Sequence, residues 1–588
     1  MLFYDFEVFS HDWLVVIMDT RNRETTVIVN DPDKLEAFYK ANQREIWVGF
    51  NSRHYDQYIL KAILCGFPPK KVNDYIIVRG LPGWKFSSLF NQFPLNNYDV
   101  MTNIDRGLKF FEGSMGNDIR ESEVPFDIDR PLTSEEIEQT IFYCKHDVSQ
   151  TMEVFVKRKE DFEAHMGLVK IACQGKPLNL SLIGKTKPQL SAIILDATRK
   201  DYDDEFAIDF PYSMQIEKYK AVIDWYSDPG NRCYSKMING RKKKVQLEMN
   251  VAGVPHVFGW GGVHGAIPQY HGKGYFINMD VASLYPSLMI KYNLHSRSMS
   301  NPAKYVEIYK QRLEYKKAGN PLQLPLKLVL NSTYGVMKDK NNALYDPLQA
   351  NRVCVYGQLL ILDLIEHLEP YAQIIQSNTD GVLVRMPDGK DESARYSLID
   401  DVAFEWEQRT GLQLEFDEYR EVFQKDVNNY IIIPSGPLHD EKGKPRWKSK
   451  GAYVKKLSSL DYGDFPIINR ALNEYMIRGV PIRRTIRECD RLIEFQLVSK
   501  ISGKYSCIMY GNKRLKEKCI RVFASLDPAD AGVQKIHAVK NRPAKISNSP
   551  EHCFICNEDI SAAAVPAKLD REWYINLANK RLADFGVI

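Results

Sequence analysis

The sequence lacks most of the features that place a chain quickly in a class. No apolar run among its 588 residues approaches the ~18 that a membrane-spanning helix needs, so no membrane partner is expected. Cysteines are few and scattered, ten in all, which points to reduced thiols in a cytosol-like compartment and away from a disulfide framework. The first residues, MLFYDFEVFSHDW, carry acids where a secretory leader starts basic, so a cytoplasmic location is expected. No internal repeat of about 20–50 residues is visible. With 34 glycines, 29 prolines, 44% apolar and 26% charged residues, the chain is not collagenous, low-complexity or largely disordered. Its length calls for several domains.

Charge of one sign is also scarce overall, the net being +4 from 79 basic and 75 acidic residues. The distribution is uneven. Residues 441–588 hold 28 Lys and Arg against 16 Asp and Glu, whereas residues 1–440 hold 51 against 59. A basic C-terminal quarter on an acidic remainder points to a polyanion track beside carboxylate-rich sites; uneven solvated faces are the alternative.

The first ~165 residues alternate β-branched and aromatic runs (WLVVIM, TTVIVN, IWVGF) with helical patterns, as an α/β domain does. A polar stretch to about residue 250 reads as helical and contains the basic cluster Arg241-Lys-Lys-Lys244. Glycines in FGWGGVHG (258–265) and HGKG (271–274) predict a loop or tight turns before a strand. Over 302–341, Pro302 starts one helix, Ala318-Gly-Asn-Pro321 breaks it, and LQLPLKLVLNSTYGVMK resumes, which predicts an antiparallel helical hairpin. Strands are predicted at 374–386 and 427–434, and a last helix at 567–585.

Three pieces carry one kind of chemistry. In Phe3-Tyr-Asp5-Phe-Glu7 a strand would turn both acids to one side, where they can share metal ions. Gly49-Phe-Asn51-Ser-Arg-His-Tyr55-Asp56 supplies a third acid. In Tyr143-Cys-Lys-His-Asp147 the outer pair lies one helical turn apart. Their order and spacing resemble the three motifs of the DnaQ-like 3′–5′ proofreading exonucleases. The resemblance implies Asp5, Glu7, Asp56 and Asp147 as ligands of two divalent ions, with Tyr143 orienting the attacking water. Such density of negative charge suits two close cations that stabilise the attacking and leaving oxygens.

A second set lies downstream. Asn278-Met-Asp280-Val-Ala-Ser283-Leu-Tyr285-Pro286-Ser287 matches motif A of family B DNA polymerases, D-x-x-S-L-Y-P-S. Lys327-Leu-Val-Leu-Asn331-Ser332-Thr-Tyr334-Gly335 matches motif B, K-x3-N-S-x-Y-G, and Ser377-Asn378-Thr379-Asp380-Gly381 stands where motif C belongs. The resemblance implies Asp280 and Asp380 as ligands of two Mg²⁺ ions, for which Mn²⁺ can substitute. It also implies deoxynucleoside triphosphates as substrates. The backbone at Ser283 and Leu284 would border the triphosphate, and Tyr285 would be the ring that leaves no room for a ribose 2′-OH. Lys327 would bind phosphates, and Asn331 and Tyr334 would shape the pocket. Arg312 and Lys316, four apart on the preceding helix, could add donors or could be solvated helix charges.

The chain departs from the family in places. Motif C is usually D-T-D, and here its first acid is Asn378; with Asp380 intact, an active polymerase is expected. Phe258-Gly-Trp260-Gly261-Gly262 stands in place of the Y-x-G-G linker that contacts template, with Phe258 or Trp260 as the stacking ring. Trp447-Lys448-Ser-Lys450-Gly-Ala-Tyr453 resembles the K-x-Y region that holds the primer end, and Lys450 and Tyr453 are its expected contacts; a lysine-rich turn is the competing reading. Asp280 to Lys327 is 47 residues and Asn331 to Asp380 is 49. Those intervals leave little room for the inserted subdomains of protein-primed phage enzymes, so DNA-primed synthesis with weak strand displacement is expected. A lone Cys553-x-x-Cys556, with His552 or Cys519 as a further donor, is weak evidence for zinc.

The resemblance thus implies an α/β and α+β multidomain protein. A ribonuclease H-like (DnaQ-like) exonuclease domain (1–165) and a linker region (166–257) would precede a right-hand polymerase. Its palm would comprise 258–301 and 342–455, its fingers 302–341, and its thumb with the basic C-terminal region 456–588. Its partner would be primer–template DNA, alongside a helicase, primase or single-strand-binding protein. The expected state is a monomer in bacterial cytoplasm, encoded by a phage or mobile element. The rivals are an exonuclease whose polymerase half has lost catalysis, and a DNA-binding replication factor.

Overall fold

The computed structural model describes residues 1–101, 106–389, 391–451 and 453–587. The protein is a mixed α/β chain of two compact units. One comprises Met1–Thr186, Leu457–Ile467 and Ile486–Tyr574; the other comprises Lys187–Lys456, Ile468–Thr485 and Ile575–Ile588. Among the described residues no helix is long and apolar enough to cross a membrane.

The first unit is built on a five-stranded sheet in the order β3-β2-β1-β4-β5: β1 (Leu2–Val8), β2 (Trp13–Asp19), β3 (Thr25–Val29), β4 (Ile46–Gly49) and β5 (Asn96–Asp99). β1 runs antiparallel to β2 and parallel to β4. The period of two divides β1 between two cores. Leu2, Tyr4, Phe6 and Val8 pack on one face with Trp47 and Ile59, whereas Phe3 packs on the other with Val48, Cys144 and Val148. Asp5 and Glu7 stand on the Phe3 face, where apolar side chains would otherwise continue. The helix Ser134–Lys157 covers that face. Thr133 and Glu136 form a reciprocal cap at its start, satisfying two N–H groups that the first turn leaves free.

The expected single domain at 456–588 is divided between the two units. Residues 486–574 are built into the first unit: Val498 and Cys519 join the Phe3 core, and the Arg521 guanidinium donates to the carbonyls of Gly113 and Asn117. These contacts join residues about 400 apart in sequence, so no local pattern announces them.

The second unit has a nine-stranded sheet. Its strands run in the order 448–450, 429–434, 414–426, 270–281, 381–385, 373–378, 264–266, 254–259 and 246–251. The helix Pro347–Leu368, started by the Asp346 cap and Pro347, is buried along almost its whole length. Helices Ala303–Lys317 and Gln323–Val336 form the predicted hairpin, tied by the Tyr305 hydroxyl donating to the Leu330 carbonyl at 3.2 Å. Two local expectations fail. The polar stretch before 250 ends in strands, Ser235–Ile238, Arg241–Lys244 and Gln246–Val251, because Asn239-Gly240, both with positive φ, make the two-residue turn that twisted strands favour. HGKG lies inside the strand Tyr270–Val281, with a register shift between Lys273 and Phe276 rather than a turn.

Candidate active sites

In the second unit the strand Tyr270–Val281 pairs with Gly381–Arg385, placing Asp280 opposite Gly381. The Val281 N–H donates to the Asp380 carbonyl at 2.7 Å. A β-carbon at Gly381 would collide with Asp280 Oδ1, so the position requires glycine. One hundred residues of separation are thus closed by a single strand pairing. Burial pushes the Asp380 carboxyl above its ordinary range, and Asp280 pushes it further, while Lys448 and Lys450 oppose the shift. Two carboxylates driven together in this way fit a divalent cation.

Beside them lies a cavity of about 390 Å³, and all eight residues expected to hold a nucleotide line it. Ser283 (φ 52°, ψ 52°) precedes the helix Leu284–Lys291 without a side-chain capping bond, so the free N–H groups of its first turn border the cavity with Tyr285. Arg312, Lys316, Lys327, Asn331 and Tyr334 reach in from the helical hairpin. Arg312 is 8% exposed; Nη1 donates to Ser283 Oγ at 3.0 Å, and Nε is buried without a partner. An unpaired guanidinium N–H and three cations at one wall fit a polyphosphate. The rings of Tyr285 and Tyr334 lie 4.2 Å apart, with the Tyr334 hydroxyl 2.6 Å from Cys354 Sγ.

Lys448 is the residue that sequence reasoning passed over. Its Nζ lies 2.8 Å from Asp280 Oδ2 and 2.8 Å from Asp417 Oδ2. Burial disfavours the ammonium, but the charge of Asp280 and hydrogen bonds to Asp280 and Asp417 hold it above the usual lysine range. The signal is in the sequence: Lys448 and Lys450 are two apart on a strand and share a face. Lys450 pairs with Tyr430 across the strands. Lys425 Nζ lies 4.9 Å and the Arg581 guanidinium 4.3 Å from the Tyr453 ring centroid; Ala452 of the same stretch lies outside the described residues. Asn378 faces His264 and Tyr430, and its Oδ1 accepts from Thr379 N at 3.1 Å.

The aromatic reading of the glycine segment is corrected. Phe258 is 1% exposed and Trp260 8%. Trp260 packs among Phe206, Trp225 and Tyr226 and donates from Nε1 to the Asn231 carbonyl, leaving no open ring face for a base. Gln358 Nε2 holds the segment by the carbonyls of Gly259 and Gly261, and Gly262 abuts Thr379 so closely that a β-carbon would strike it.

In the first unit Asp5 and Glu7 on β1 meet Asp56, at the start of the helix Asp56–Leu64, and Asp147 on the covering helix. Asp56 Oδ1 accepts from Phe6 N at 3.1 Å. Burial, then mutual repulsion, raises Asp5 and Glu7 well above the carboxylate range; burial takes Asp56 to about 7 and raises Asp147 too. Acids held this far from ionising alone fit bound cations. Tyr143 is kept protonated by burial and by Asp147 and Glu7. Sequence reasoning missed Lys109, whose Nζ lies 2.5 Å from Asp147 Oδ1, 3.1 Å from Glu112 Oε1 and 4.5 Å from the Tyr143 ring centroid. Lys109 and Glu112, three apart on a helix, were the available signal.

Cys553 Sγ points to the Ala531 carbonyl and Cys519 Sγ to that of Lys109. Among the described residues the three-donor groups are Asp5 with Glu7 and Cys144, and Glu112 with His146 and Asp147; neither contains Cys553 or Cys556.

No protein-family model matches the chain, and no curated protein matches it. Among solved structures, the family B DNA polymerase from the hyperthermophilic archaeon Pyrobaculum calidifontis is similar at 13% identity and a TM-score of 0.39, over 100% of this chain and 78% of that one. A likeness that slight carries no argument, and the functional reading stands on the two sites themselves.

Proposed function

We propose that the chain is a template-directed DNA polymerase of the family B kind with a 3′–5′ proofreading nuclease. The observation that carries the reading is the Asp280–Asp380 pair beside a cavity walled by Arg312, Lys316 and Lys327. Asp280 and Asp380 would hold two Mg²⁺ ions, which supply neutralisation of the charge on the transferring phosphoryl group. The chain's own residues do the positioning. Arg312, Lys316 and Lys327 take the triphosphate, Tyr285 excludes a 2′-OH, and Tyr334 supports the Tyr285 ring from behind. In the nuclease, Asp5, Glu7, Asp56 and Asp147 would hold a second ion pair. The Tyr143 hydroxyl, kept protonated, orients water, and Lys109 steadies Asp147.

Compactness favours a phage or mobile-element enzyme that is DNA-primed and works as a monomer with a helicase, primase or single-strand-binding protein. The test is a labelled primer–template with Mg²⁺, with and without deoxynucleoside triphosphates. The reading expects growth with them and shortening without them. Shortening alone would favour a nuclease with an impaired polymerase half, and no change at all a DNA-binding factor.

A further inference from the structure

The basic cluster Arg241-Lys-Lys-Lys244 has no part in either site. It forms one strand of an isolated two-stranded ribbon with Ser235–Ile238, hydrogen-bonded to no other strand among the described residues. The register sets Lys236 opposite Lys243 and Ile238 opposite Arg241 on one face, and Met237 opposite Lys242 and Ser235 opposite Lys244 on the other. Both faces are cationic. Like charges directly opposite each other destabilise a strand pair, and none of the five cations forms an ion pair among the described residues. The ribbon therefore bears one directly opposed pair of like charges, Lys236 and Lys243, that no acid among the described residues neutralises. Its tip carries two exposed apolar side chains, Met237 (68% exposed) and Ile238 (44%).

The root is firmly held. Val245 N donates to the Tyr234 carbonyl, and the Tyr234 hydroxyl bonds Glu205 at 2.8 Å and Asn351 at 3.2 Å. Phe206 lies against both Tyr234 and Trp260. The turn that carries Trp260 continues to Gly262, which abuts Thr379 beside Asp380. Four residues per strand at about 3.3 Å each project the ribbon roughly 13 Å from that root.

We infer that the ribbon 235–244 binds an unpaired nucleic-acid strand, its five cations gripping phosphates and Met237 and Ile238 lying against bases. A polyanion relieves the Lys236–Lys243 repulsion. Exposed apolar tips find contacts on unstacked bases, whereas a duplex offers the ribbon phosphates alone. The strand's destination, the template approaching Asp280 and Asp380, rests on the polymerase reading; the binding itself does not.

The test compares the full-length wild type with a variant carrying Lys236→Gln, Arg241→Gln, Lys242→Gln, Lys243→Gln and Lys244→Gln. Fluorescence anisotropy would follow labelled oligo(dT) and a blunt duplex over a salt series. The variant should bind oligo(dT) at least about tenfold more weakly at low salt, with a salt slope shallower by about 0.7 for each phosphate it no longer neutralises. Its affinity for blunt duplex, which offers the ribbon phosphates alone, should fall by a clearly smaller factor. A second variant with the four lysines changed to arginine should bind oligo(dT) as the wild type does, which separates loss of charge from loss of fold. Unchanged oligo(dT) affinity in the glutamine variant would overturn the inference. So would an equal loss on blunt duplex, or wild-type binding of poly-glutamate as tight as that of oligo(dT). If the wild type fails to extend any primer, the polymerase reading falls, and the oligo(dT) result still decides the ribbon's role.

Discussion

The Lys448 ammonium lies 2.8 Å from Asp280 Oδ2. Its other side meets Asp417 at the same distance, so one lysine bridges Asp280 and an acid on the neighbouring strand. In the sheet, the strand of Asp417 (414–426) and the strand of the amide Asn378 (373–378) flank the Asp280–Asp380 pair from opposite sides. A lysine on Asp280 competes with any cation for the same oxygen. Lys448→Gln should therefore lower the Mg²⁺ concentration that half-saturates primer extension several-fold, as a metal titration would read. A higher requirement would mean that Lys448 assists loading instead.

The two activities should separate cleanly. Asp380→Ala should reduce primer extension roughly a hundredfold or more, on the scale of losing a preorganised charge at a reacting centre, and leave primer shortening intact. Asp5→Ala should do the reverse. Gel assays on one labelled primer–template measure both, and loss of both activities in either variant would contradict two independent sites.

The four buried acids of the first unit should make stability fall with pH when metal is removed. Burial pushes Asp56 up to about 7, and Asp5, Glu7 and Asp147 are also raised. Between the ordinary carboxylate range and about pH 7 the folded protein keeps protons that the unfolded chain releases, so stability is lost as pH rises through that window. In EDTA, Tm should decline from about pH 5 to about pH 8. Asp56→Asn should flatten the decline, and Mg²⁺ should raise Tm more at the upper end of that range than at the lower. A metal-free Tm that climbs with pH would refute the assignment.

Arg521 is fully buried and donates to the carbonyls of Gly113, Asn117, Cys556 and Glu558. Burial lowers its pKa to about 10. Arg521→Met would take this donor from the carbonyls of Asn117, Cys556 and Glu558, while Gly113 keeps the Gly116 N–H, and should cost about 3 kcal/mol or more. Denaturant unfolding should show this as an earlier transition accompanied by loss of the nuclease. A change below about 1 kcal/mol would mean that the carbonyls find other partners.

Much of both sites was legible because it is local. Asp5 and Glu7 share a strand face by the period of two, Tyr143 and Asp147 share a helix face by the period of about 3.6, and motif spacing brought out Asp280, Lys327, Asn331 and Asp380. The failures have physical causes. Trp260 reads as an exposed stacking ring in a glycine-rich segment, yet Phe206, Trp225 and Tyr226, from elsewhere in the chain, bury it. The helical reading before 250 gave way to a ribbon because Asn239-Gly240 fits a tight hairpin turn.

By itself the sequence determined which side chains are candidates for the chemistry, through their motifs, and which neighbours share a face, through local backbone periodicity. Only the tertiary structure decided what each acid meets. Strand pairing brought Lys448 to Asp280 across 168 residues, helix packing set Lys109 on Asp147, and the Arg521 contacts tie residues 486–574 into the first unit. Those partners are selected by long-range packing and by the cost of leaving buried charge unpaired, and no window of sequence contains either term.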